Sequence, residues 1–179
     1  MNRRDHLIAS LREFRPADTG EQRALVRLQA LLDGEADPFD RERHVPGHVT
    51  ASAFVLDPSG GRLLLVLHHK LQRWLQPGGH VEPCDSSVWE AAVREVEEET
   101  GLSDLDMVGE GPFDVDVHLV AHGGPEHEHL DVRYLVGSAS EDAFAGDGVD
   151  DVRWVSLEEM EGMEASLWRP ALKALGDRG

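Results

Sequence analysis

The sequence predicts an α+β protein, an α/β/α sandwich in which a mixed β-sheet carries helices on both faces behind an N-terminal helical extension. Three observations predict it. Apolar residues recur at helical spacing up to about residue 45. From His48 onward, short β-branched and apolar runs separated by Gly and Pro turns take over. Strands and helices then interleave without the regular alternation of a parallel βαβ sheet. A chain of 179 residues suits one domain with an appendage, drawn here as a helical extension over 1–45 and a main domain over 46–179.

The elements follow in order. Leu7, Ile8, Leu11 and Phe14 make one apolar stripe that Pro16 ends. Thr19-Gly-Glu-Gln22 is a candidate capping box, followed by Leu25, Leu28, Leu31 and Leu32 at helical spacing. Val49–Leu56 and Leu63–Leu67 are strand candidates joined by the turn Asp57-Pro-Ser-Gly-Gly61, and together they predict a hairpin buried on both faces. Gln76-Pro-Gly-Gly79 predicts a second tight turn. A helix from about Val88 to Thr100 follows, with Ser87 as N-cap, Glu90 completing a capping box and Gly101 as the stop. Further strands are expected at Leu105–Val108, Phe113–Val120, Leu130–Val136 and Val152–Val155, and a last amphipathic helix near Leu167–Leu175.

Composition limits the function. Seventeen Lys and Arg against thirty-five Asp and Glu give 17 − 35 = −18. Such a surface repels phosphate backbones, which argues against nonspecific nucleic-acid or anionic-membrane binding. An anionic small substrate stays compatible where bound cations reverse the local sign. The most apolar run, Arg62 to Leu67, is too short to span a bilayer, and the N-terminus lacks a signal-peptide core. The one cysteine, Cys84, cannot form an internal disulfide, which suits a cytoplasmic protein.

The helix after Ser87 carries the chemistry. Glu95, Glu98 and Glu99 stand at i, i+3 and i+4 and share one face. Glu97, about 200° around the axis from Glu95, points elsewhere. Like charges so spaced cost an isolated helix about 0.2–0.5 kcal/mol per pair, and Arg94, four residues before Glu98, cannot neutralise three acids. An exposed charged face is the plain alternative. A divalent cation of the hard, oxygen-seeking kind, Mg²⁺ or Mn²⁺, is the chemical one. The Pro-Gly-Gly turn upstream would let a bare backbone carbonyl approach such an ion.

The segment Gly79-His-Val-Glu-Pro-Cys-Asp85 through Arg94-Glu-Val-Glu-Glu-Glu-Thr-Gly-Leu102 resembles the signature box of the Nudix hydrolases: Gly, five residues, Glu, seven residues, then Arg-Glu-apolar-x-Glu-Glu-x-Gly-apolar. The last nine positions match fully. Upstream, Asp85 stands where the family has Glu, and eight residues rather than seven separate it from Arg94. The resemblance implies a Nudix fold and metal-dependent hydrolysis of a nucleoside diphosphate linked to another group. It implies Glu95, Glu98, Glu99 and the Gly78 carbonyl as metal ligands and Arg94 as the residue that orients the glutamates. Within this family fold, a nucleotide sensor without turnover and a prenyl-diphosphate isomerase are the alternatives. The expected partner is a small nucleotide, and the expected state a monomer or homodimer.

A general base is open. Glu95 is one candidate. Glu126 and Glu128 are further candidates for base or additional ligand, in the segment from His118 through His122 to Asp131. As strands, His127, His129 and Asp131 alternate onto one face, as do Asp114, Asp116 and His118, so a polar face across paired strands is conceivable. No structural-zinc spacing is present there. Trp74 and Phe113 could stack on a base or fill core. His48, His68 and His69 are expected at exposed strand ends, within reach of phosphate.

Overall fold

The computed structural model describes residues 2–121 and 124–176. Two helices, α1 (Arg3–Leu11) and α2 (Thr19–Leu32), precede the strands β1 (Gly47–Leu56), β2 (Arg62–His68), β3 (Arg73–Leu75) and β4 (Gly78–His80). Helix α3 (Val88–Thr100) follows, then β5 (Leu105–Met107), β6 (Asp114–Val120), β7 (His127–Ser138), β8 (Val149–Ser156) and α4 (Ala165–Leu175). No helix among the described residues is long and apolar enough to cross a membrane.

One mixed sheet holds all eight strands, and it works as two wings. In the first, β1 runs parallel to β7 from Gly47 opposite Glu128 to Leu56 opposite Gly137. Strand β7 also pairs antiparallel with β6 and β5. In the second, β2 pairs antiparallel with β8 and β3. The expected β1–β2 hairpin meets only at Leu56 and Leu63, a correction with a clear cause. Strand β7 occupies one edge of β1, and β4 takes the other from Thr50 to Ser52, so β2 swings away to β8. The turn itself is as expected: Asp57 Oδ1 accepts from the Gly61 and Arg62 N–H groups at 2.9 and 3.0 Å.

Helices cover both faces. On one, Val49, Ala51, Ala53, Val55, Leu130, Val132 and Val136 pack with Leu7 of α1, Leu28 of α2 and Val96 of α3. On the other, Phe54, Leu56, Leu63, Leu65 and Leu135 pack with Met160 and with Leu167 and Ala171 of α4. The side chains of β1 on this second face change character along the strand: His48, Thr50 and Ser52 are buried polar groups, and Phe54 is core. One cap differs from expectation. Asp18, not Thr19, caps α2, its carboxylate accepting from the Gly20 and Glu21 N–H groups at 2.6 and 2.9 Å. Two adjacent residues compete for that place, and the carboxylate adds favourable charge at the helix N-terminus.

Candidate functional site

Helix α3 is held at both ends. Ser87 Oγ accepts from the Glu90 N–H at 3.1 Å. At the other end Gly101 adopts the left-handed conformation, φ 68°, and its N–H donates to Glu97 O at 2.9 Å. The remaining three terminal carbonyls, which a helix leaves without internal partners, are met by one irregular segment. Phe144, Gly146 and Asp147 N–H groups donate to Thr100, Glu99 and Glu98 O, each at 2.9 Å. A Cβ on Gly146 would lie 2.1 Å from Glu98 O, so glycine is what lets the backbones meet.

The acidic face of α3 lies against β4. The Gly78 N–H donates to Glu99 Oε2 at 3.1 Å. A Cβ on Gly79 would come 2.5 Å from Glu95 Oε1, and one on Gly78 would come 2.6 Å from Ala51 O. Closeness to the β1 backbone requires glycine at 78, whereas at 79 a side chain would displace the Glu95 carboxylate; the two form a strand paired to β1 rather than the free turn the Pro-Gly-Gly motif suggests. That is a second correction: β1 offers an open edge, and extended glycines satisfy it.

Arg94 uses all five of its N–H groups. Nε and Nη2 donate to Asp85 Oδ1 and Oδ2, both at 3.0 Å, and Nη2 also to His80 O at 2.9 Å. Nη1 donates to Glu95 Oε1 at 2.9 Å and Glu98 Oε2 at 3.1 Å. Asp85 in turn accepts from the Glu82 N–H at 2.7 Å. So the shortened acid and the extra loop residue leave Asp85 in a defined place, clamping the guanidinium side-on. Its hydrogen bonds with Asp85, opposed by desolvation and reinforced by Glu95, hold Arg94 firmly charged. Burial raises the pKa of Glu95, and pushes Glu99 up to about 8, helped by the charges of Glu95 and Glu98. Glu97 is exposed, as the helical geometry requires.

On the opposite face of the sheet, polar residues meet across four strands. Asp116 is paired with Asp131 and His118 with His129, in register, and His48 lies opposite His129. Asp131 accepts from Thr50 Oγ1, Ser52 Oγ and Arg133 Nε at 3.0, 2.8 and 2.9 Å. Arg133, fully buried, also reaches Asp114 and Asp116. Beyond this network stand His48, His80, His127 and His129, with ring centroids about His48 at 4.9 to 5.1 Å. Burial keeps three of them, His48, His80 and His129, neutral: it lowers His48, and with His48 alongside takes His80 to about 4 and His129 to about 3. The expectation that His48 is exposed is overturned, because parallel pairing with β7, some eighty residues away, encloses it completely. His80 was not singled out by the sequence reasoning at all; its place one residue after Gly79 in β4 was the available signal.

Other expected residues lie apart from the acidic face. Glu128 accepts from Arg27 of α2 at 2.6 Å and Glu126 is exposed; neither bonds to Glu95, Glu98 or Glu99 among the described residues. His122 falls outside them. Trp74 is covered by the Arg153 guanidinium at 4.2 Å, and Phe113 lies against Phe54, 6.2 Å between centroids. His69 pairs with Asp150 at 2.5 Å.

The NUDIX domain family matches residues 46–175. The chain belongs to the NUDIX family. Among solved structures, a NUDIX-family hydrolase from Clostridium perfringens superposes with a TM-score of 0.62 at 23% identity, covering 74% of this chain and 98% of that one. A MutT protein from Methanosarcina mazei Go1 gives 0.56 at 26% identity, covering 73% and 93%. The NUDIX domain of Shewanella oneidensis NrtR, complexed with ADP ribose, gives 0.56 at 19% identity, covering 82% and 98%. No match was found among curated proteins. The mixed sheet with helices on both sides is thus the Nudix fold, and the chain is a Nudix hydrolase, of the class acting on acid anhydrides.

Proposed function

We propose that this Nudix hydrolase is a divalent-metal-dependent pyrophosphohydrolase that cleaves a nucleoside diphosphate joined to a second group. The observation that carries the reading is the meeting of Glu95 and Glu99 with the Gly78–Gly79 strand, with Arg94 bridging Glu95 and Glu98 on the same helix face. The donors are all oxygen, a set suited to Mg²⁺ or Mn²⁺. Glu95, Glu98, Glu99 and the Gly78 carbonyl would hold the metal. When bound, it neutralises diphosphate charge and lowers the pKa of water.

The chain's own groups do the rest. Arg94 fixes the carboxylates of Glu95 and Glu98, and Asp85 fixes Arg94; such supporting hydrogen bonds orient ligands and tune their basicity. Glu95, half-buried with its pKa raised, accepts a proton from the attacking water, since a carboxylate of raised pKa is the stronger base near neutrality. Glu128, committed to Arg27, and exposed Glu126 are left out of the mechanism. The ADP ribose held by the S. oneidensis domain is a substrate shape of the proposed kind, a nucleoside diphosphate joined to a second sugar. Residues 1–45 act as a helical extension on the 46–179 domain. The lone Cys84 is compatible with a reducing, cytoplasmic setting, and the reading is of a monomer or homodimer acting on small nucleotides.

Hydrolysis is tested by incubating the protein with Mg²⁺ or Mn²⁺ and a panel of nucleotide sugars, dinucleoside polyphosphates and nucleoside triphosphates, with products resolved by chromatography. Cleavage at a phosphoanhydride in one substrate class is expected. Tight binding without turnover across the panel would favour the sensor reading, and turnover of a prenyl diphosphate alone the isomerase.

A further inference from the structure

The polar face opposite Glu95 contains a group of imidazoles that the hydrolase reading does not use. Its geometry is specific. One donor nitrogen each from His48 of β1, His80 of β4 and His129 of β7 lie within 4.8 Å of one another. Ring centroids are separated by 5.1 Å for His48–His80, 4.9 Å for His48–His129 and 5.3 Å for His80–His129.

His48 decides what the group is for. Its Nδ1 lies 3.1 Å from Arg43 O, and a carbonyl can only accept, so Nδ1 carries the hydrogen. That leaves Nε2 as a bare lone pair. This atom is buried, with no hydrogen-bond partner among the described residues, in a side chain that is 0% exposed. A buried polar atom without a partner costs about 1–3 kcal/mol. The fixed tautomer, with Nδ1–H given to a backbone carbonyl, is the arrangement that orients metal-binding histidines.

We propose that His48, His80 and His129 form a second metal site, for a borderline transition-metal ion of the zinc class, distinct from the carboxylate site on α3. Three imidazoles and an open fourth position match the ligand set of a three-histidine zinc centre. Nitrogens about 2.0–2.1 Å from a tetrahedral ion are about 3.3 Å apart, so the rings close by on the order of 1 Å; His80 and His129, half-buried, have the freedom to do so. The ion would tie β1, β4 and β7 together. Because alternation along β4 sends His80 to the face opposite Gly79, it would fix from behind the strand that Glu95 and Glu99 rest on.

The test uses the full chain, stripped with chelator and equilibrated with Zn²⁺ by dialysis against millimolar Mg²⁺, which occupies the oxygen site. Retained zinc is measured by mass spectrometry, and melting temperature with and without Zn²⁺ gives a second readout. About one zinc per chain is expected, with a zinc-dependent rise in Tm. His80→Asn and His129→Gln, at partly exposed positions, should weaken zinc binding at least about 100-fold and abolish that rise while circular dichroism stays native. Glu98→Gln should leave zinc binding unchanged. Failure to bind zinc, equal binding by the histidine variants, or loss of zinc in Glu98→Gln would each overturn the proposal, whatever the hydrolysis assays give.

Discussion

The acidic face of α3 and the imidazole cluster behind β4 are two concentrations of potential ligands on opposite faces of one strand, and they were assembled in different ways. The three carboxylates come from within five residues of one helix, with Arg94 spaced to serve two of them. The imidazoles come from three strands distant in sequence, with a backbone carbonyl fixing one tautomer. Hard oxygen donors with a resident guanidinium favour Mg²⁺ or Mn²⁺ with a phosphate substrate; uncharged nitrogen donors favour zinc-class ions. Proximity of ligands alone does not say which ion a site takes. The company of charges does.

The largest expected effect that separates the two regions is Glu98→Gln. Its side chain is 47% exposed, so folding should change by no more than about 0.5 kcal/mol, while kcat for the cleaved nucleotide should fall about 100- to 1000-fold. Steady-state kinetics beside thermal melts would show it. A mutant with wild-type kcat at saturating metal would remove Glu98 from the site.

Asp85→Asn should follow. It breaks the side-on pair with Arg94, and kcat should fall about 10- to 100-fold, with about 1–3 kcal/mol lost in denaturant unfolding. Unaltered kinetics would make the clamp merely structural.

A third expectation concerns pH. Without metal, Glu99 is raised to about 8 by burial, so it holds a proton at neutrality that an ion must displace. Mg²⁺ affinity should rise about 50-fold from pH 6 to 8, as isothermal titration would record. The sign for stability is opposite: the native state binds more protons than the unfolded one between the ordinary carboxylate value and about 8, so the metal-free protein loses stability as pH rises through that window. The neutral histidines behave the other way, with stability lost as pH falls below about 6.5 toward 4.

The smallest effect is Glu128→Gln. Its pair with Arg27 is half-exposed on the arginine side, worth about 0.2–1 kcal/mol, and kcat should be unchanged. A large fall in kcat would return Glu128 to the mechanism.

Legibility in the sequence tracks how local the cause is. Helix α3 runs from Val88 to Thr100 between Ser87 and Gly101, as its caps and periodicity indicate, because those signals act within a few residues. The sharing of one face by Glu95, Glu98 and Glu99 follows from helical geometry alone. The partial hairpin could not be read, since the competition of β4 and β7 for the edges of β1 is settled by chain far downstream. His48 was misplaced for the same reason: nothing near it announces β7. The alternation of Asp116, His118, His129 and Asp131 was legible strand by strand, whereas the register that brings His118 opposite His129 was not. Asp85 needed the loop's path to show which way its carboxylate turns.

The segment that meets the last turn of α3 has a consequence for how the molecule opens. Phe144, Gly146 and Asp147 belong to no helix or strand, yet their amides end on the carbonyls of Thr100, Glu99 and Glu98, and the chain runs on from them into β8. Their hydrogens cannot exchange with solvent unless the end of α3 comes free, so in hydrogen exchange they should report with the helix rather than with a surface loop. The tail of the acidic helix and the entry to β8 would then open as one cooperative unit.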